Sequence, residues 1–325
     1  MTDRDLSAPS AHFGVCGEIN AEENMAETLD TNLAQSLPPA GTRMYQEYDV
    51  EEDSLRSAYH YEQAPEFYYT QTGGEWNVYS CLMWEDGFSV TQAQEKKLDK
   101  LAECMQLKPG MHILDVGCGW GGPLVYLCKT YGATGHGITV SPKQAAAANA
   151  RAARYAVDAT FEVIHWKNLP EAETYDAIYS DEVIVHFFDL GGFFAKCRKL
   201  LKPGSLMAHK ELHWRHSSYA DPKPLGDHIN KIFGYTGNYL PLHKELRLLD
   251  ENGFRLEGLF EIPMENYYRT MDLWLKNIFD NRERLKALAG AQFYKDYRAY
   301  LKAARVLFSS GVYLLDIVTS RKMSG

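Results

Sequence analysis

The chain has 325 residues, 45% hydrophobic and 13% aromatic, with a formal net charge of −9. That size and composition fit one large globular domain with an appended lid, or two domains. The acidic balance excludes nucleic acid as the main partner, because phosphate binding needs a basic surface.

Residues 1–42 set Asp3, Asp5, Glu18, Glu22, Glu23, Glu27 and Asp30 against Arg4 alone. They read as a disordered acidic extension with one weak helix in "AEENMAETLDTNLAQSL". Residues 43–325 read as one domain. Its N-terminal cap, 43–105, is helical and aromatic ("YHYEQAPEFYYTQTGGEWNVYSCLMW"). The cap ends in "SVTQAQEKKLDKLAECMQL", which places Leu98, Leu101 and Met105 on one helical face and charges on the other. From 106 to 214 strands and helices alternate: "HILDVG", "GGPLVYLCKTY", "GATGHGITV", "SPKQAAAANARAARYA", "ATFEVIH", "YDAIYSDEV", "GGFFAKCRKLL" and "GSLMAHKEL". This order predicts a parallel, doubly wound α/β sheet. Residues 215–307 combine an aromatic helical insert with further core elements, and 308–325 supply a closing strand and tail.

Six cysteines, Cys16, Cys81, Cys104, Cys118, Cys128 and Cys197, include no CxxC pair. No apolar leader opens the chain, and no apolar run reaches the ~18 residues of a membrane helix. A reduced cytoplasmic protein without a transmembrane segment is expected. Homo-oligomerisation stays open.

"ILDVGCGWGG" places Asp115, Gly117, Gly119 and Gly121 between a buried strand and a helix. Glycines there allow a tight turn and close approach to a ligand. The acid two residues before the first glycine suits a cationic amino group and would repel a diphosphate. The second strand ends "GITVSPKQ", without the ribose-binding acid of nicotinamide enzymes. Thr139 and Gln144 are the hydrogen-bonding groups at that end.

"HYE" (60–62), "YSC" (79–81), "LKPGMHILDVGCGWGG", "GITVSPKQ", "LLKPG" and "INK" (229–231) resemble the cyclopropane-fatty-acid-synthase-like methyltransferases, over residues 43–325. The resemblance implies the class I methyltransferase fold, a mostly parallel seven-stranded sheet with a helical, aromatic-rich lid. It also implies S-adenosyl-L-methionine as cofactor. It places Tyr79, Ser80, Asp115, Gly117, Cys118, Gly119, Gly121, Thr139 and Gln144 against that cofactor, and Trp166 beside adenine. Where many members carry an acid for the adenine amino group, this chain has His165.

The resemblance also bears on "YSDEVIVHF" (179–187), where acids follow the fourth strand. Cyclopropane synthases hold a bicarbonate base in a cradle of Cys, Glu, His and Tyr. Cys81, His209 and Tyr267 match three of these, and His186 matches the His beside the Glu. Val185 stands where that Glu should be, which puts bicarbonate and ring closure in doubt. Glu182, three residues earlier, resembles the Glu that prenyl-diphosphate C-methyltransferases carry in this part of the fold. It is read as a base or a cation-stabilising carboxylate. The bland alternative is a capped structural acid or an adenine-side contact. Metal binding by His209, Glu211 and His213 is discounted, since methyl transfer to carbon needs no metal.

Tyr61, Tyr68, Trp84, Tyr235, Tyr239, Tyr267 and Trp274 lie in the two expected lid segments, and Tyr61, Trp84, Tyr235, Tyr239 and Trp274 are the candidate substrate-pocket residues. Aromatic faces attract cations. The expected activity is methylation of an alkene carbon in a lipid or terpenoid-like molecule, with a prenyl diphosphate favoured. Lys210, Arg215, Lys231 and Lys244 are the candidate diphosphate partners. Rival readings are a small-molecule N-methyltransferase, a fatty-acyl methylase or cyclopropane synthase, and a non-catalytic S-adenosylmethionine-binding module.

Overall fold

The computed structural model describes residues 49–61, 63–172, 174–216 and 239–324. The acidic extension and its expected helix, Glu62, Tyr235, Lys231, the "INK" stretch and most of the 215–245 insert lie outside the described residues.

Helix α1 (Val50–Tyr59) starts at Asp49, whose carboxylate accepts the Glu52 N–H at 2.9 Å. Glu51, Glu52 and Asp53 fill its first turn, where the helix end carries partial positive charge. Helix α2 (Pro65–Thr72) has proline at its first position, where no N–H is needed. Helix α3 (Val90–Met105) opens with a capping box between Ser89 and Gln92. Its apolar stripe of Ala93, Leu98, Leu101 and Met105 is buried as expected. Lys97 is buried on that face too, which a simple amphipathic reading misses.

Seven strands follow: β1 (His112–Val116), β2 (Thr134–Thr139), β3 (Ala159–Val163), β4 (Tyr175–Asp181), β5 (Leu201–Trp214), β6 (Phe254–Glu261) and β7 (Tyr313–Lys322). They form one sheet in the order β3-β2-β1-β4-β5-β7-β6. Strands β1 to β5 pair in parallel, and β7 runs antiparallel between β5 and β6. This is the doubly wound, mostly parallel seven-stranded sheet expected, with a late reversed strand. Helices α4 (Gly122–Tyr131), α5 (Pro142–Tyr155), α6 (Leu190–Leu200) and α7 (Leu242–Glu251) accompany it. Chain direction across the sheet reverses between β1 and β4, so a crevice opens at the carboxyl ends of these strands.

Helices α8 (Glu265–Asp280), α9 (Arg282–Ala289) and α10 (Ala291–Phe308) pack together, and α8 also meets α2. Aromatic rings tie this layer to the N-terminal cap. Tyr79 stacks on Trp274 at 5.1 Å and 13°, and Phe67 meets Tyr297 edge-on at 5.0 Å. Polar contacts fix the register, since Thr270 Oγ1 accepts the Leu82 N–H at 3.1 Å and Asn266 Oδ1 accepts the Trp84 N–H at 2.6 Å. No helix among the described residues is long and apolar enough to cross a membrane.

The start of α4 is packed against the cap backbone. A methyl group on Gly122 would lie 1.7 Å from the Trp76 carbonyl oxygen, and a backbone atom there cannot swing aside. Gly122→Ala is therefore expected to destabilise the protein by roughly 1–3 kcal/mol. The check is a lowered urea midpoint with an unchanged slope. An unchanged midpoint would show that the cap and α4 are not packed this closely.

Candidate active site

Three adjoining cavities occupy the crevice, and Tyr61 and Glu182 line all three. The first lies along β1, β2 and the turn after β3, lined by Gly119, Thr139, Gln144, His165 and Trp166. Another, beside β1 and β4, is lined by Tyr79, Ser80, Asp115, Gly117, Cys118 and Asp181. The remaining one lies under the helical layer, lined by Val185, Glu211, Tyr239, Tyr267 and Trp274, among others.

The glycine loop is shaped in two different ways. Gly119, at φ +52°, has nothing within 4 Å of where a Cβ would be, so its bare backbone faces open space. Gly121 lines none of these cavities; a Cβ there would collide with Ala148 of α5, so its smallness serves helix packing. Asp115 is buried at the end of β1, and the Tyr179 hydroxyl donates to it at 2.6 Å. Burial pushes the Asp115 carboxyl up to about 7, against the pull of that hydrogen bond. At the end of β2, Thr139 Oγ1 donates to Gln144 Oε1 at 2.7 Å. His165 caps the turn at Trp166–Asn168 and sits 3.1 Å from Asp53 of α1. The buried Trp166 indole N–H has no partner among the described residues.

The acids after β4 are held by two lysines that solvent does not reach. Asp181 pairs with Lys97 and, at 3.0 Å, with Lys210, and accepts the Ser80 hydroxyl at 2.7 Å. Burial alone would raise the Asp181 carboxyl; the charges of Lys210 and Lys97 outweigh it and bring it to about 2. Burial likewise works against the charge on Lys210, yet Asp181 and Glu182 push its ammonium above the usual lysine range. Lys97 is pulled down, because burial exceeds what Asp181 restores. Glu182 lies one residue past β4 at φ +58°, in the left-handed region that disfavours a side chain. Its carboxylate pairs with Lys210, accepts the Cys81 N–H at 2.8 Å and accepts the Tyr267 hydroxyl at 2.5 Å.

Cys81 therefore reaches Glu182 through its backbone. Its thiol lines none of the three cavities, lies 3.4 Å from the Leu82 carbonyl, and is pushed up to about 12, chiefly by burial. His209 is not gathered with Glu182 either. Its imidazole is buried 2.7 Å from Glu245 of α7, which also contacts His213 at 3.1 Å. His186 lines two of the cavities, and burial lowers its imidazole to about 4, so it is neutral. Trp84 donates its indole N–H to Thr270 at 3.0 Å and lines no cavity. Tyr68 donates to the His60 carbonyl within the core.

Residues that sequence reasoning missed include the buried Lys97, and Tyr300 and Glu211, which line the cavity under the helical layer. Lys210 was assigned to a diphosphate but is spent on Asp181 and Glu182. Arg215 donates to the Gly311 carbonyl, and Lys244 is exposed on α7. Among the described residues no lysine or arginine lines the three cavities.

A family profile described as "Mycolic acid cyclopropane synthetase" matches residues 49–317. The chain is similar to the cyclopropane-fatty-acyl-phospholipid synthase of Escherichia coli K12, with 28% identity over 75% of this chain and 62% of the synthase. It thus spans less than two thirds of that relative. A probable fatty acid methyltransferase of Pseudomonas putida is 25% identical over 92% of this chain and 76% of its own length. Among solved structures, the cyclopropane synthase MmaA2 of Mycobacterium tuberculosis superposes with a TM-score of 0.77 at 22% identity, covering 83% of this chain and 98% of that one. At that identity the likeness shows the fold.

Removing one buried lysine tests the charge network. Lys97→Met leaves Asp181 with one cation in place of two. The expected loss is about 3 kcal/mol, the lower end for breaking a buried pair, because Lys210 remains. Urea unfolding checks it; a loss below about 0.5 kcal/mol, as for a surface pair, would refute the burial of this charge.

Proposed function

The chain belongs to the mycolic acid cyclopropane synthetase family of S-adenosylmethionine-dependent methyltransferases, and on that premise we propose that it methylates an alkene carbon of an apolar, lipid-like acceptor, with Glu182 as the proton acceptor. S-adenosylmethionine is its cofactor. Three features of the crevice suit that molecule: the open backbone at Gly119, the buried carboxyl of Asp115 and the unpartnered indole N–H of Trp166. In this reading Asp115 takes the cofactor's amino group, Gly117 and Gly119 allow close approach, Thr139 and Gln144 meet the ribose, and Trp166 flanks adenine. Bound there, the cofactor supplies an electrophilic methyl group on a sulfonium.

The position of the Glu182 carboxylate carries the proposal. It stands where all three cavities meet, held from three sides by Cys81 N–H, Tyr267 O–H and Lys210. In the resembling synthases a Cys and a Tyr cradle a separate anion; here they hold a carboxylate of the chain itself. An alkene offers its π pair to the methyl group, the carbon–sulfur pair stays with sulfur, and the acceptor is left one electron pair short. The rings of Tyr61, Tyr239, Tyr267 and Trp274 line the cavity in which that positive charge arises. Glu182 then takes a proton, either from a carbon beside the cation, whose freed pair closes a double bond, or from the transferred methyl group one carbon further on, whose freed pair closes a ring. A carbocation is so strong an acid that even an ion-paired carboxylate suffices as base. The left-handed backbone at Glu182 fits a residue placed for function.

Relatives named for fatty-acyl phospholipid and fatty acid support a lipid acceptor. For the prenyl diphosphate expected from sequence, the described lining of the acceptor cavity holds no lysine or arginine, and Lys231 lies outside the described residues.

Two substitutions separate binding from chemistry. Asp115→Asn should weaken S-adenosylmethionine binding about ten- to a hundredfold, as loss of a charged acceptor does, read by calorimetry. Unchanged affinity would remove Asp115 from the cofactor site. Glu182→Gln should keep cofactor affinity and lower turnover by about 10² to 10⁴, with the native enzyme indifferent to removal of dissolved bicarbonate. Labelled methyl groups recovered on carbon are expected. Recovery on nitrogen, with an active Glu182→Gln variant, would overturn the proposal.

A further inference from the structure

Among the described residues, Glu211 is the one acid of the acceptor cavity that the proposed chemistry leaves unused. It lies near the carboxyl end of β5, 3% exposed, and lines the cavity together with Val185, Leu212, Tyr239 and Tyr267. Its two oxygens are fixed by backbone donors: Oε1 accepts the Leu212 N–H at 2.9 Å and Oε2 accepts the Val185 N–H at 3.1 Å. Unlike Asp181 and Glu182 it forms no ion pair among the described residues. Unlike Glu245 it has no histidine within ion-pair distance. The groups that bear on its charge are Glu182 after β4, neutral His186 in the next turn, His213 on its own strand, and the hydroxyls of Tyr239 and Tyr267. Burial, with Glu182 adding to it and the two N–H donors and His213 opposing, pushes the carboxyl up to about 8.

Near neutrality this side chain is a carboxylic acid whose oxygens already accept from the backbone. Its O–H remains to be used, and no described side chain is hydrogen-bonded to either oxygen. A buried donor without an acceptor is costly. A plain hydrocarbon would leave it so; an oxygen atom on the acceptor would not.

We propose that Glu211 donates a hydrogen bond from its carboxyl group to a neutral oxygen, hydroxyl or carbonyl, of the methyl acceptor, and so selects oxygen-bearing lipids over plain hydrocarbon chains. This rests on the alkene-methylation reading. Glu211 is a binding and specificity residue; Glu182 takes the proton.

The test uses the full chain saturated with S-adenosylhomocysteine, and reads binding by quenching of intrinsic tryptophan fluorescence. The probes are cis-9-octadecene, oleyl alcohol, methyl oleate and oleylamine. The native protein is expected to bind the alcohol about tenfold more tightly than the hydrocarbon, the worth of one hydrogen bond in a buried site. Glu211→Gln, which still carries a donor, should keep that preference; Glu211→Leu should abolish it. With methyl oleate, whose oxygens can only accept, the native protein's preference over the hydrocarbon should fade as pH rises through about 8, where the acid loses its proton, and the Gln variant should show no such change. S-adenosylhomocysteine affinity reports whether each variant is folded. An alcohol preference that survives in Glu211→Leu overturns the assignment. So does oleylamine binding tightest and depending on Glu211, which would mark an ammonium site. Equal binding of alcohol and hydrocarbon sinks the assignment alone. Failure of both to bind a protein that still takes S-adenosylhomocysteine sinks the alkene reading, and this inference with it.

Discussion

Two lysines and two carboxylates packed out of water set the terms for everything around them. Lys97 comes from α3, Asp181 and Glu182 from the end of β4, and Lys210 from β5. Taking four charges from water is expensive, and such a cluster persists only when the charges balance and the leftover hydrogen-bonding capacity is filled. The first holds and the second is nearly met. The formal charges cancel, and Ser80, the Cys81 N–H and Tyr267 donate to the carboxylates, leaving Asp181 Oδ1 with the Lys210 ion pair but no hydrogen bond. The cluster thereby bolts the Ser80–Cys81 segment of the cap and helix α8 to the sheet at one point. The cap, the sheet and the helical layer cannot shift independently without leaving a buried charge exposed to nothing.

That rigidity explains how an awkward residue is tolerated. Glu182 sits at φ +58°, where a side chain costs on the order of 1–3 kcal/mol. Its backbone N–H is tied to the Lys210 carbonyl at 2.7 Å, and its carboxylate is held from three directions. Such a constellation over-determines one side-chain position. In the proposed chemistry that is what a proton acceptor needs, since the reacting carbon must meet a carboxylate that does not have to be reoriented.

Periodic and local features of the fold were legible in the sequence. The glycine loop and the alternation of strands and helices give the sheet and its crevice, because each is written in neighbouring residues. The charge cluster is not local. Lys97 looks like one more solvated charge on α3, since a helical wheel assumes that lysines face water. Only the two acids brought opposite it by β4 make its burial tolerable. Cys81 contributes its N–H, a group that every residue but proline possesses, so its identity carried no signal for this contact. His209 failed for a different reason. Glu245, from a helix beyond the described gap, faces it across the core, and no spacing rule connects residues 36 apart. Glu211 did leave a trace. It lies two residues beyond His209 on the same strand face, and extending that period toward the carboxyl end leads into the crevice.

The neutrality of the cluster also shapes what the crevice can accept. Lys210, the lysine paired with Glu182, is engaged by two carboxylates and lines none of the three cavities. The described lining offers instead tyrosine and tryptophan rings, the bound carboxylate of Glu182 and the acid of Glu211. A ligand arriving with phosphate would bring negative charge to a wall whose described residues bear acids and no lysine or arginine, and burial would magnify that repulsion. A neutral chain meets no such barrier. In the proposed chemistry a positive charge that arises only during reaction would meet aromatic rings and a fixed carboxylate in the same lining. The same balance of charges that makes the buried lysines tolerable thus leaves a cavity better suited to a transient cation than to a permanent anion.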